Sequence, residues 1–286
     1  MTLSADRDGR HDDPSPSCPY LDDHTVPSTA YAAYAHMDAL LTLQHPQTRA
    51  AAEPGFIIMS QVMELLFKLL HIEFAAARDQ LLRDGVAEAL WTLRRAVRVQ
   101  QAALSSWDFF SAMTPGEFAE FRDVLGEASG FQSASYRRLE FLLGNKNPHM
   151  VKPHRGKHSS AAVQGQLQEP SLYDAVLGVL RRRGMAIVDE VFTRAADEPY
   201  EPHGSVEQAW REVYADPVRH HDLYLLGESL MDVAESFARW RYTHLTVVQR
   251  ILGGKSGTGG TEGVPWLTRI SEHRFFPELW SMRTSL

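Results

Sequence analysis

Of the side chains able to do chemistry, His244 is the first to follow. In FARWRYTHLTVVQRIL the residues Phe237, Trp240, His244, Val247, Val248 and Ile251 recur three and four apart, so His244 shares an apolar helical face. An imidazole there is either a core histidine hydrogen-bonded to a neighbour or a ligand to iron. Neutral imidazole on a rigid helix holds haem iron well and leaves one side of the metal open. Arg122 stands among Phe118, Phe121 and Leu125. Its guanidinium either pairs with a surface carboxylate or clamps a substrate carboxylate with two parallel hydrogen bonds. The glycines of GGKSGTGGTEG let backbone approach a ligand closely, or simply form a linker. They do not make a phosphate loop, because the glycine–lysine spacing of that motif is absent and no strand precedes them. SGFQS reads as a capped loop in which Ser129 or Ser133 satisfies backbone donors.

Helices have to position these groups. Tyr31, Tyr34, Met37, Leu40 and Leu41 recur at helical spacing, and HPQTRAAAEPG ends that run. A second helix follows from about Phe56 to Phe74, with the stripe Phe56, Met59, Met63, Phe67 and Leu70, and a third spans Val86–Leu104. Thr114, Pro115 and Glu117 open a fourth as N-cap, first helical residue and capping-box partner. The helix after SGFQS ends at Gly144 and Pro148, and the stretch from Pro148 to Pro170 reads as a polar, irregular loop. Helical patterns resume at SLYDAVLGVLRRRG, at 205–215 and, longest of all, from about Tyr224 to Leu252; the Gly-rich tail through VPWL reads as irregular. With no strand alternation and no repeat, the expected architecture is all-α: residues 1–27 as a flexible arm and 28–286 as one bundle-like domain.

Composition narrows the function. With 286 residues, 44% hydrophobic and 23% charged, the chain has the profile of a globular domain. A formal charge of -7 argues against nucleic acid as a partner, since phosphate binding needs a basic surface. A single cysteine, Cys18, excludes an internal disulfide framework or a cysteine-built zinc site. No unbroken apolar run reaches the roughly 18 residues of a membrane span, and no secretory h-region opens the chain, which places it in the cytoplasm. The 13 histidines leave metal or haem open.

Taken together, the segments resemble the tryptophan 2,3-dioxygenase family. The matching pieces run in the family's order from Tyr31 to Trp280: YAAYAHMDALLTLQ, FIIMSQVMELLFKLLHIE, WDFFSAMTPGEFAEFRDVLG, SGFQSASYRRLEFLLGNKN, PSLYDAVL, FARWRYTHLTVVQRILGGKSGTGGTEGV and FPELW. The resemblance implies an all-α helical bundle haem protein of the tryptophan/indoleamine dioxygenase type. It implies haem b as cofactor, a homo-oligomer that is a tetramer, and opening of the indole C2–C3 bond of L-tryptophan by O₂ to N-formylkynurenine. By position, His244 matches the proximal iron ligand, Arg122 the arginine that grips the substrate carboxylate, and Thr258 the threonine at the ammonium and carboxylate. Phe56 matches the aromatic against the indole. Trp107, Ser129 and Gly130 match residues around haem and its propionates, and Tyr31 and Tyr34 those lent to a neighbouring subunit's pocket.

Departures from the pattern fall on the distal and substrate side. The family's distal histidine is Ser60 here, Phe118 stands where bacterial members often carry tyrosine, AAAEPG replaces an acidic and His-rich run, and the usual ELW reads Glu64-Leu65-Leu66. Serine still forms a hydrogen bond but does not titrate near neutral pH. Related indoleamine dioxygenases also carry serine there and still insert both oxygen atoms. The resemblance therefore implies 2,3-dioxygenation of L-tryptophan or a substituted tryptophan. One alternative is insertion of a single oxygen atom to give an oxindole or hydroxyindole; another is a haem-binding sensor without turnover.

Overall fold

The computed structural model describes residues 28–255, 257–258 and 263–286. The arm read over residues 1–27, and residues 256 and 259–262 of the Gly-rich segment, lie outside them. Helices dominate, with no strand among the described residues. Two compact units divide the chain, one ending at His45 and the other running from Pro46 to Leu286.

In the first unit, α1 (Ala30–Ala35) and α2 (Met37–Leu40) replace the single expected helix. His36 interrupts it in the left-handed region, at φ 51°. Thr29 caps α1 by accepting from the Ala32 N–H. Tyr31, Tyr34 and Leu41 are largely exposed.

The second unit opens with α3 (Glu53–Leu82), longer than the apolar stripe predicts at both ends. Its start is held by the buried Glu53 carboxylate, which accepts from the backbone N–H groups of Gln47 and Thr48 at 2.8 and 2.7 Å. That anchor fixes the first turn, where Phe56 and Ser60 follow. A tight turn through Asp84, at φ 65°, reverses the chain into α4 (Val86–Ser105). Then come α5 (Trp107–Ala112) and α6 (Pro115–Arg122), the latter with the expected Thr114–Glu117 capping box. Ser129 and Ser133 each accept a backbone N–H, from Phe131 and Tyr136, and so lead the chain into α7 (Ala134–Leu142). Gly144, at φ 106°, turns it out again.

Residues 148–170 correct the loop reading. Asn147 caps a 3₁₀ helix over Pro148–His154, and α8 (Ser160–Gln168) follows. Val151, Val163 and Leu167 are too sparse to show a period, yet they bury together against Phe141. The segment is also pinned by Lys146, fully buried, whose ammonium donates to the carbonyls of Leu167 (3.1 Å), Glu169 and Ala196 (2.5 Å). Burial pushes that ammonium down to about 8, still charged at neutral pH, so three carbonyls meet its three protons.

The chain continues through α9 (Leu172–Arg182), α10 (Glu190–Thr193), α11 (Gly204–Ala215) and α12 (His221–Leu252). It closes with α13 (Val264–Glu272), which begins inside the tail read as irregular, and α14 (Pro277–Ser281). Pro265 fits the first turn of α13, and Leu267 is buried. The core lies where α3 and α12 pack on α4, with α7 and α9 against α3. Near its C-terminal end the buried Glu278 accepts from Tyr173 and Tyr200 hydroxyls and from the His203 N–H.

Two apolar seams run along α3. Met63, Phe67, Leu70, Phe74, Ala77 and Leu81, alternately four and three apart, face the core. Ile58, Leu65, Leu69 and Ile72 form a second seam that is exposed. By length and composition α3 is apolar enough to cross a membrane, which the search for an unbroken apolar run misses; its inner seam is taken up by protein.

Candidate functional site

One apolar cavity, about 1140 Å³ with its mouth included, gathers residues from six helices. Phe56, Ser60, Met63 and Glu64 of α3, Trp107 and Phe110 of α5, and Phe118 of α6 line it. So do Gly130 and Phe131 just before α7, Tyr136 and Arg137 within it, Trp240 and His244 of α12, and Trp266 and Ile270 of α13. Beside it the Phe109 ring lies over Gly55, where a methyl group would stand 2.3 Å from the tip of the ring and oblige it to shift.

His244 lies on α12 with its ring flat against Trp107, centroids 4.6 Å apart and planes 12° apart. Trp240, one helical turn earlier, flanks it at 5.5 Å. Burial pushes the imidazole down to about 4, so it is neutral at physiological pH and has a lone pair to donate. The indole Nε1 atoms of Trp107 and Trp240 are buried with no hydrogen-bond partner among the described residues. A neutral histidine, an apolar wall and buried donors awaiting acceptors suit a flat, largely apolar cofactor with polar edges, and haem fits that description.

Phe56, which also lines the cavity, sits in an aromatic nest, 5.2 Å from Phe121, 5.8 Å from Phe110 and 6.0 Å from Phe118. Ser60 is one turn further along α3, and its hydroxyl donates to the Phe56 carbonyl at 2.7 Å. The proton is thereby committed to the helix, while the oxygen still has lone-pair capacity toward the cavity.

Phe56, Ser60, Trp107, Phe118, Gly130 and His244 therefore line one cavity. Arg122, Thr258 and Ser129 are placed differently. Arg122 ends α6, one turn after Phe118, and is not among the lining residues. Thr258 donates to the Ala128 carbonyl at 2.6 Å, which ties the Gly-rich segment to the residue before Ser129. Ser129 serves as the cap that presents Gly130. Tyr31 and Tyr34 belong to the other compact unit.

Arg137 and Glu64 are the charged side chains of the lining, and neither stands out in the motifs, although Arg137 falls within SYRRLE. Arg137 belongs to a buried cluster. Glu140 accepts from Arg137 through one oxygen and from Arg241 through the other, the latter at 2.7 Å. Arg241 also donates to the Tyr136 hydroxyl oxygen at 3.0 Å and to His273 Nδ1 and O at 3.3 and 3.2 Å. Burial holds Tyr136 neutral, pushed up to about 12, and holds His273 neutral, pushed down to about 4. Trp240 stands on the same apolar stripe as His244, while Trp266 falls in the tail read as irregular; with Tyr136, both line the cavity.

The sequence profile described as tryptophan 2,3-dioxygenase matches residues 22–166 and 157–286. A protein of Erythrobacter litoralis described as tryptophan 2,3-dioxygenase is 46% identical over 257 residues, covering 90% of this chain and 98% of its own. Proteins of the same description from Cupriavidus necator and Ruegeria pomeroyi are 42% and 43% identical. Each covers 90% of this chain, and the alignments span 88% and 93% of those relatives.

Proposed function

The chain belongs to the tryptophan 2,3-dioxygenase family, whose members are haem-dependent oxygenases, and from that premise we propose that its cavity binds haem b through His244 and oxidises an indole there. The substrate is L-tryptophan or a substituted tryptophan, O₂ is the oxidant, and both oxygen atoms enter across C2–C3 to give an N-formylkynurenine. When bound, haem supplies the ferrous iron that activates O₂ beside the indole.

The protein's own part is orientation and exclusion of water. The observation that carries the reading is that neutral His244 and the Phe56 nest line one apolar cavity. Phe56 and Phe118 pack against the indole ring, and Ser60 Oγ accepts from the indole N–H. Arg122 takes the substrate carboxylate and Thr258 the ammonium and carboxylate. Trp107, Ser129 and Gly130 surround haem and its propionates. No side chain is asked to remove a proton: Ser60 is a poor base at neutral pH.

A second reading, insertion of a single oxygen atom to give an oxindole or hydroxyindole, is favoured by one detail. With the Ser60 proton committed to the Phe56 carbonyl, this residue offers the distal wall neither a titrating group nor a free donor. Mass analysis of the product from L-tryptophan under ¹⁸O₂ tests both. Two labelled atoms support the first reading and one selects the second; an unlabelled or absent product from the haem-loaded protein, with tryptophan and its substituted forms alike, overturns both.

We also place the chain in a homotetramer in which Tyr31 and Tyr34 reach a neighbour's pocket. The exposed seam of α3 and the exposed Tyr31, Tyr34 and Leu41 support this, as apolar surface that water leaves unsatisfied. Sedimentation decides it: a fully active monomer would contradict the assignment.

A further inference from the structure

Helix α13 brings Trp266 and Ile270 to the cavity, yet of its nine residues only Leu267 is buried. Trp266 meets Phe131 edge to face at 5.2 Å. Such limited burial does little to offset the entropy of ordering nine residues. The C-cap of the helix, His273, is tied to the interior instead. Arg241 of α12 donates from Nη1 to His273 Nδ1 at 3.3 Å and to the His273 carbonyl at 3.2 Å. The same guanidinium, 2% exposed, donates to Glu140 and to the Tyr136 oxygen of α7 and lies 4.9 Å from the centre of the Phe275 ring. Arg241 is thus a cross-brace between α12, α7 and the end of α13.

The tie to the His273 ring holds in one protonation state. Nδ1 accepts from a cation, so the imidazole is neutral and carries its proton on Nε2. A proton on Nδ1 would set donor against donor and cation against cation. Burial pushes the imidazole down to about 4; Arg241 and, less strongly, Arg274 add to this, and Glu140, which both Arg137 and Arg241 neutralise, opposes it. Tyr136, the other titratable neighbour of Arg241, is neutral as well.

We propose that Arg241 and His273 are positioning residues that dock α13 as a removable wall of the cavity, held in place only while His273 is neutral. An undocked α13 carries its C-cap into water, where the ring takes up a proton near pH 6.5, at about the ordinary value for histidine. The docked form refuses that proton until about pH 4, so docking weakens as pH falls between the two values. From pH 7 to pH 5 the open fraction should rise about twentyfold. Opening withdraws Trp266 and Ile270 and uncovers the cavity. The wall itself follows from the fold; that its occupant is haem rests on the reading above.

Hydrogen exchange of the 264–272 amides, read by mass spectrometry and corrected for the pH dependence of free amides, measures the opening. In wild type it should rise about twentyfold from pH 7 to pH 5 while the α4 amides stay protected. His273→Asn offers Arg241 an amide oxygen that does not titrate, so its α13 should show no such rise. Equal rises in both proteins would remove His273 from the latch. Flat exchange in wild type overturns the proposal without any variant, since the ring would then leave alone while α13 stays. The second measurement is haem loss to excess apomyoglobin. Acid weakens the His244 ligand in both proteins alike, so the ratio of wild-type to His273→Asn rates isolates α13. That ratio should climb from pH 7 to pH 5 by about the factor seen in exchange. A constant ratio would deny that the opened wall is the way out of the cavity. Failure of both proteins to bind haem would overturn the haem reading and leave the exchange result standing.

Discussion

His244 and Trp107 stack face to face, 4.6 Å between centroids and 12° from parallel. The contact limits rotation of an imidazole that lines the cavity. A ligand held in this way should depend on its neighbour almost as much as on itself.

His244→Ala should abolish stoichiometric haem loading. Trp107→Leu, which removes the stack, should weaken loading by roughly 10–100-fold, as for other groups that orient a ligand, while Trp107→Phe keeps most of it. Absorbance titration with haem measures all three. Unchanged loading in His244→Ala would remove the iron ligand from this site.

Arg122→Ala should raise the apparent KM for L-tryptophan by roughly tenfold or more, because a charge-assisted pair in an apolar site costs about 2–5 kcal/mol to truncate. The preference for L-tryptophan over tryptamine should shrink with it. An unchanged preference would assign the substrate carboxylate to another group.

Much of this was legible beforehand, and the reasons differ by residue. His244 stood out because an imidazole breaks the chemistry of an apolar stripe without breaking its period. Thr114, Pro115 and Glu117 announced the start of α6 because capping is local chemistry. Arg137 and Glu140 give no such sign: Arg241, which completes the cluster through Glu140, lies about a hundred residues away, and the cluster exists only once the helices meet. Val151, Val163 and Leu167 were hidden for the opposite reason, since three apolar residues among polar ones carry too little periodicity to announce a helix.

Ser60→Ala should leave stability within about 1 kcal/mol of wild type, because the lost hydrogen bond is to the helix's own carbonyl. Ser60→His restores a titrating donor on the distal wall. It should move the ¹⁸O₂ product ratio toward two labelled atoms if the distal residue steers the second oxygen. An unchanged ratio would shift that role to Phe118 or Leu66.

Acid should destabilise the fold through His273. Burial, reinforced by Arg241, pushes this imidazole down to about 4, against about 6.5 in an unfolded chain. The unfolded chain therefore takes up a proton that the folded one refuses, and stability falls as pH drops from about 6.5 to about 4, by roughly 3 kcal/mol in all. His273→Asn should flatten the decline of melting temperature between pH 7 and 5. A slope identical to wild type would count against it.

Lys146→Met should cost roughly 3–5 kcal/mol, since it strands three carbonyls in the interior. The shift of the urea midpoint measures it. A loss under about 1 kcal/mol would mean that water reaches those carbonyls.

The same ammonium has a consequence for how the molecule breathes. Lys146 holds carbonyls at Leu167, Glu169 and Ala196, so chain segments fifty residues apart end on one charge. None can pull away alone without leaving the charge short of an acceptor. The region from 146 to 196 is therefore built to open as one cooperative unit, and its amide protons should exchange together, at a common rate, instead of fraying loop by loop.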